Sequence, residues 1–396
     1  MRRMLGRILR GLGYLILLIC AAAALLSLPR GGIEWRYAGQ IVVAFVGGPL
    51  LVILIAGAGL AFWRWRRTRD RLALAMSIAA GLGVAACAFT MGGHIAAAER
   101  HDISIDYARL LWPGPFRYDG PEPERFTYDR FEGEPVEMVV YRPTRSASGK
   151  KAPVLVYVHG GGWMGGDASA RYGDLQWFAR QGYIAIGVNY SLSSSKRHLW
   201  DVVQPQVACA LSWIRKNADR FGADPQRMVL FGESAGGNLV LNIGGMTHRG
   251  ALPSRCGGSV PRIAATVSIY PPVDLVALYG HAPSRHFAVA YTGGSPRQFP
   301  ARYAAVSPLT DVAAPAPPTL ILTGLDDSLV PVRDILGYVR RAKAAGQPIE
   351  LITVPRAGHG FDGIPGSIGH QIVRKATIAF LKRQGLAPAH PTTSKP

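Results

Sequence analysis

RMVLFGESAGGNLVL, residues 227–241, reads as a buried strand, a sharp turn and the opening of a helix. Met228 to Phe231 are continuously apolar, Gly232 to Gly236 spell GESAG, and apolar residues at helical spacing follow. A turn that tight forces its middle residue, Ser234, into strained backbone geometry and lifts its hydroxyl above the sheet, while small neighbours keep clear. In a chain of 396 residues with 47 glycines, GxSxG by itself arises by chance. Its position between a strand and a helix is what makes Ser234 a candidate nucleophile.

The same short apolar runs bounded by turn residues recur on either side. VEMVVYRP (136–143), PVLVYVH (153–159), YIAIGVNY (183–190), AATVSIY (264–270), PTLILTG (318–324) and IELITV (349–354) all read as strands. Helical stretches, such as 167–180 and the amphipathic 202–217, lie between most of them. This alternation predicts an α/β domain over residues 134–385, a mostly parallel sheet with helices on both faces. The long Pro-rich and aromatic stretch 271–308 is expected to form a lid or cap. Residues 101–133, rich in Pro, Gly and charge, read as a linker, and 386–396 as a disordered tail.

A nucleophilic serine needs a base, and the base needs an orienting carboxylate, which this architecture supplies in the order Ser, acid, His. After Ser234, the strand PTLILTG runs into LDDSLVP, with Asp326 and Asp327 in the turn. The strand IELITV runs into PRAGHGF, which places His359 in a Gly-flanked loop. The carboxyl ends of parallel strands are where such folds place function. HGGGW, residues 159–163, closes another strand, and its successive glycines can turn backbone amides toward an oxyanion. A phosphate-binding loop is excluded, because GK(S/T) is absent and the Gly spacing is wrong.

With HGGGW, GESAGG and the ordered Asp and His, residues 130 to 385 resemble the esterase/lipase group of α/β-hydrolases. They are most similar to carboxylesterases and feruloyl- or acetyl-xylan-esterase-like enzymes, and also similar to hormone-sensitive-lipase-like esterases, whose DPL pattern at the acid is missing here. The resemblance implies an α/β-hydrolase fold and a catalytic set of Ser234, Asp327 and His359. Asp327 is preferred to Asp326 because Gly324, Asp327, Val330 and Pro331 fit a GxxDxxVP turn. It also implies an oxyanion hole from the amides of Gly161, Gly162 and Ala235, a structural His159, and cleavage of carboxylic esters through an acyl-enzyme. Neither a cofactor nor a metal is expected. Amidase, formamidase or peptidase chemistry uses the same triad, and a membrane-bound deacetylase of envelope glycans is a further alternative.

The first hundred residues are of another kind. Residues 11–28, 38–63 and 72–98 are uncharged or nearly so, and each is long enough to cross a hydrocarbon core of about 30 Å as a helix. The composition agrees, with 48% hydrophobic and only 17% charged residues. Nine arginines flank these runs before residue 11 and between 64 and 71, against two, Arg30 and Arg36, between the first and second runs. The positive-inside rule then puts the N-terminus in the cytoplasm and the hydrolase on the far side, in the periplasm of a bacterial inner-membrane protein or outside the cell. His94 in the third run is expected at the interface. The +19 net charge is spread thinly, with no aromatic-interleaved basic block, so the partners expected are a lipid bilayer and a small-molecule, glycan or lipid ester rather than nucleic acid. Four cysteines show no metal-ligand spacing. Cys209 and Cys256 could pair in an oxidising compartment or stay as buried thiols.

Overall fold

The computed structural model describes residues 2–28, 35–111, 122–143, 151–312 and 315–389. The loop with Arg30 and Glu34, residues 112–121 of the expected linker, and the tail from residue 390 lie outside the described residues. The chain divides into two units. One comprises residues 1–115, 324–328 and 353–375, the other 116–323, 329–352 and 376–396.

The first unit is built on α1 (Arg2–Leu25), α2 (Trp35–Thr68) and α3 (Arg71–Glu99). At 24, 34 and 29 residues, rising 1.5 Å each, they are about 36, 51 and 44 Å long and exceed a bilayer's apolar thickness. All three are apolar enough to be membrane spans. Their outer faces carry exposed Leu12, Leu15, Ile16, Ile53, Ile55, Leu60 and Phe89, an apolar surface that water does not favour and lipid does. Their inner faces are lined with small residues. Ala21, Ala24, Ala80 and Ala86 are buried, and a Cβ on Gly83 would come within 2.9 Å of the Ala21 backbone. Such close approach is how helices gain packing energy where no hydrophobic effect acts between them. Inside the bundle Ser27 Oγ meets Thr90 Oγ1 at 2.9 Å.

Asp70 starts α3 by accepting from Leu72 N at 3.1 Å, and it also holds Arg64. α2 is kinked at Val46 (φ −127°, ψ 26°), three residues before Pro49, whose ring cannot pack under an unbroken preceding turn. His94 is buried. α4 (Ala108–Leu111) lies against Gly48, where a side chain would overlap the Leu110 carbonyl.

The second unit is a mixed sheet of eight strands. They are β1 (Glu124–Phe131), β2 (Glu134–Tyr141), β3 (Ala152–Val158), β4 (Ile184–Val188), β5 (Ala223–Glu233), β6 (Ala265–Ile269), β7 (Thr319–Gly324) and β8 (Ile349–Val354). Their order across the sheet is β1-β2-β4-β3-β5-β6-β7-β8. β1 and β2 run antiparallel, and β4, β3, β5, β6 and β7 run parallel. The remaining helices are α5 (Tyr172–Arg180), α6 (Val203–Lys216), α7 (Ala218–Phe221), α8 (Ala235–Arg249), α9 (Leu275–Gly280), α10 (Arg285–Thr292), α11 (Pro300–Val306), α12 (Val332–Ala344) and α13 (Ile368–Arg383).

β3 explains the continuous apolar reading of PVLVYV. Val154, Val156 and Val158 join the core with α6 and α8, while Tyr157 packs on Phe231, which meets Phe178 of α5 on the opposite face, and all are buried. β3 has β4 on one side and β5 on the other, so the connections leaving β3 and β5 diverge. Such a switch point opens a crevice at the carboxyl ends of the strands.

β1 falls inside the stretch expected to be a linker. Its Phe126 and Tyr128 alternate with charged or polar neighbours, as an edge strand with one face on the core does. Its register slips between Thr127 and Asp129. Cys209 on α6 and Cys256, in the loop after α8, are joined in a disulfide with Cα atoms 5.4 Å apart.

Candidate active site

β5 ends at Glu233 and α8 begins at Ala235, so Ser234 alone makes the turn, at φ +53° and ψ −121°. A non-glycine residue held there stores about 1–3 kcal/mol of strain and persists only where its surroundings hold it. Here the Ser234 amide donates to the Ile269 carbonyl of β6 at 2.9 Å, and its carbonyl accepts from Asn238 N at 2.9 Å. The flanking glycines are required by close approach. A Cβ on Gly236 would overlap the Val158 carbonyl, and one on Gly232 would lie 2.6 Å from the Gly236 carbonyl. Ala235 is buried and supplies the first amide of α8, which has no intrahelical acceptor and sits at the positive end of the helix dipole.

β3 and β5 are in register, with Val158 opposite Gly232, so HGGGW leaves the sheet beside the serine turn. Gly161 (φ +103°), Gly162 (φ +62°) and Trp163 (φ +60°) are successively left-handed. The Gly161 carbonyl turns back to accept from Met164 N and Gly165 N, each at 3.0 Å. The Gly160 amide is taken by Glu233 Oε1 at 3.1 Å. Among the described residues, the amides of Gly161 and Gly162 have no protein acceptor. His159 is buried, its Nδ1 lies 2.8 Å from the Gly160 carbonyl, and its ring stacks on Tyr190 at 4.1 Å. Burial lowers its pKa to about 4, which leaves it neutral.

The segment 271–308 forms α9, α10 and α11 and covers this loop. Trp163 stacks on Tyr291 of α10 at 4.6 Å, and a side chain on Gly162 would collide with Phe287. Asn238 of α8 ties down both ends of the segment by donating to the carbonyls of Pro272 at 2.8 Å and Val306 at 2.9 Å.

Sequence reasoning missed the polar support beneath the serine turn. Glu233 Oε1 accepts from Tyr157 Oη at 2.8 Å as well as from Gly160 N. Its other oxygen pairs with Arg171 Nε at 3.4 Å. Arg171 in turn holds Asp174 at 3.0 Å and donates to Tyr270 Oη at 3.2 Å. These charges are largely removed from solvent, where removing one partner costs far more than the pair contributes. The available signal was the acid inside GESAG, directly before the serine.

Ser234, Gly161, Gly162 and Ala235 belong to the sheet unit. Asp327 and His359 belong to the other and form a pair there, with His359 Nδ1 2.7 Å from Asp327 Oδ2 and the Asp327 side chain fully buried. The neighbouring Asp326 carboxylate accepts instead from Gln40 Nε2 at 3.1 Å. The turn and the His loop are tied together by Leu325 N to Val354 O at 2.9 Å and Asp326 N to Ala357 O at 3.0 Å. A carboxylate on Nδ1 favours the tautomer that carries its proton on that nitrogen. Among the described residues, the group of metal-ligating type is Asp129, Cys209 and Cys256, and its two sulfurs are joined to each other.

Residues 138–335, half of the chain, match the BD-FAE family. Esterase LipC of Mycobacterium tuberculosis is 29% identical over 290 residues, covering 68% of this chain and 70% of LipC. Esterase LipQ of the same organism is 27% identical over 273 residues, covering 68% of this chain and 64% of LipQ. Among solved structures, the propionate-bound esterase Est2 of Thermogutta terrifontis is similar with a TM-score of 0.57 and 25% identity, covering 68% of this chain and 97% of that one.

Proposed function

Because this chain belongs to the BD-FAE family of α/β-hydrolase esterases, and is as such a carboxylic ester hydrolase, we propose that it acts through a Ser234–His359–Asp327 triad and an acyl-enzyme. The observation that carries this reading is the bond from His359 Nδ1 to the buried Asp327 carboxylate. It fixes the tautomer in which Nε2 is a proton acceptor, and it stabilises the imidazolium formed when Nε2 takes the Ser234 proton. Serine attack on the ester carbonyl places negative charge on its oxygen. The amides of Gly161, Gly162 and Ala235 receive that charge, and loss of one such donor costs on the order of 100- to 1000-fold in rate. His359 then protonates the leaving alcohol, and a water activated by the same nitrogen releases the acid. Asp326 has no part in the relay.

In this reading the three apolar helices anchor the enzyme in a bilayer with the hydrolase on the extracytoplasmic side, which the arginine distribution supports. The Cys209–Cys256 disulfide supports that side, since such bonds persist in oxidising compartments. Substrates there are acetylated glycans, lipids or other small esters. The test is a set of three variants assayed on p-nitrophenyl esters and with a fluorophosphonate probe. Ser234→Ala should lose both hydrolysis and labelling. Asp327→Asn should lose about 10³- to 10⁴-fold in kcat, and Asp326→Asn should keep a functioning relay. A dead Asp326→Asn beside a healthy Asp327→Asn would overturn the acid assignment.

A further inference from the structure

The turn carrying Asp327 and the loop carrying His359 are both gripped by the membrane helices. At the amino end of α2, buried Gln40 donates to Asp326, the residue directly before Asp327, at 3.1 Å. Five residues on, Phe45 closes over the far side of the His loop, where a Cβ on Gly363 would lie 3.1 Å from its ring. At the carboxyl end of α3, Gly93 leaves room for the Arg356 guanidinium, which a side chain there would displace, and Phe89 receives the same cation over its ring at 4.2 Å. Arg356 stands three residues before His359 and is itself held at φ +59°. Buried His94 lies beside the Arg356 backbone. The Pro49 kink separates the segment with Gln40 and Phe45 from the rest of α2. Gln371, at the start of α13, closes the arrangement by accepting from Asp106 N at 2.7 Å and donating to Asp106 O at 3.1 Å.

We propose that the helical anchor is a working part of the acid–base apparatus, with Gln40 and the Gly93–Arg356 contact positioning the Asp327 turn and the His359 loop. An anchor that only tethers needs a linker and no polar contact to a catalytic turn. This one buries an amide, a group that is costly to bury unless it is hydrogen-bonded, at one end of the long apolar run of α2, and spends it on the residue adjoining the acid. Both grips lie at the end of the bundle away from the arginine-rich 64–71 loop. The proton-transfer arm therefore stands at the extracytoplasmic membrane face, where an ester presented by a lipid or an amphiphile meets it. Gln40 and Arg356 are positioning residues, since neither touches the reacting atoms.

This inference rests on the triad reading, and the experiment separates the two. Full-length protein in detergent is compared as wild type, Gln40→Leu, Gly93→Ala, Asp327→Asn and the double variant Gln40→Leu/Asp327→Asn. Gln40→Leu and Gly93→Ala should each lower kcat about 10- to 100-fold, the scale of a misplaced catalytic group, with KM changed less than about twofold. In the Asp327→Asn background, Gln40→Leu should cost less than about twofold more, because the carboxylate it positions is gone. Thermal unfolding of each variant removes those that fail to fold, and the Gly93→Ala arm stands if Gln40→Leu is lost. A crippled Asp327→Asn with a fully additive Gln40→Leu overturns the role of the anchor and leaves the triad. A healthy Asp327→Asn overturns both. Unchanged kcat in both Gln40→Leu and Gly93→Ala also overturns the proposal.

Discussion

Cys256→Ser is the most direct probe of how the sheet unit is held together. Cys256 is exposed, so a serine there buries no new hydroxyl, and the released Cys209 thiol keeps the Tyr128 carbonyl 3.3 Å away. The native state therefore loses little. The effect falls on the unfolded chain, which regains the freedom of a loop with a sequence separation of 47 residues. On the chain-entropy model a loop of that size is worth about 4 kcal/mol. For a domain of this size a kilocalorie moves Tm by about 2 °C, so the variant should unfold about 8 °C below wild type. The assay is thermal unfolding of detergent-purified protein followed by tryptophan fluorescence, with and without dithiothreitol. Reductant should bring wild type down to the variant and leave the variant unmoved. Alkylation after denaturation should find two thiols in unreduced wild type, Cys20 and Cys87, and four after reduction. Four reactive thiols without reductant, or equal Tm values, would refute the reasoning and remove one support for an oxidising compartment.

Other outcomes are expected from the same structure. The pKa of His159 is depressed to about 4 from 6.5, so its stabilising contribution is complete above pH 6.5 and is lost as pH falls toward 4. It amounts to about 3 kcal/mol at most. Denaturant unfolding of wild type should weaken across that window more steeply than unfolding of His159→Gln, and equal slopes would count against a neutral buried imidazole. Asn238→Ala should cost about 2 kcal/mol, because the Pro272 carbonyl loses its donor while Val306 keeps Asn242 at 2.9 Å. Limited proteolysis should then cut within 271–308 before it cuts elsewhere, and a wild-type digestion pattern would contradict this. An alkaline phosphatase fused after residue 390 should be active and a cytoplasm-only fluorescent reporter dark, and the reverse pattern would place the hydrolase in the cytoplasm.

What the sequence disclosed follows from where its signals are local. The parallel strands were legible because burial on both faces leaves unbroken apolar runs, as in Val154 to Val158. The serine turn was legible because close backbone approach demands glycine at 232 and 236. β1 was not, since an edge strand buries one face only and its Phe126 and Tyr128 are diluted among charges. The bracing of Gly160 by Glu233 and Arg171 was hidden because Arg171 and Glu233 are 62 residues apart and nothing near Arg171 marks its partner. Gln40 lies within the uncharged run 38–63, and nothing local marks it for a role. Only the fold brings it to Asp326, nearly three hundred positions later.

The slipped register of β1 bears on how copies of the enzyme meet if, as proposed, they share a membrane plane. On the proposed anchoring, copies move in two dimensions, so encounters between neighbouring sheets are far more frequent than they would be in free solution. A long, flat edge strand would then act as a template for the next copy and zip molecules into ribbons. β1 denies that template. Its bulge between Thr127 and Asp129 breaks the even spacing of amides and carbonyls, and Arg125 and Arg130 stand exposed along the strand. At this edge, a crowded membrane surface of the proposed kind would meet a strand that does not invite pairing.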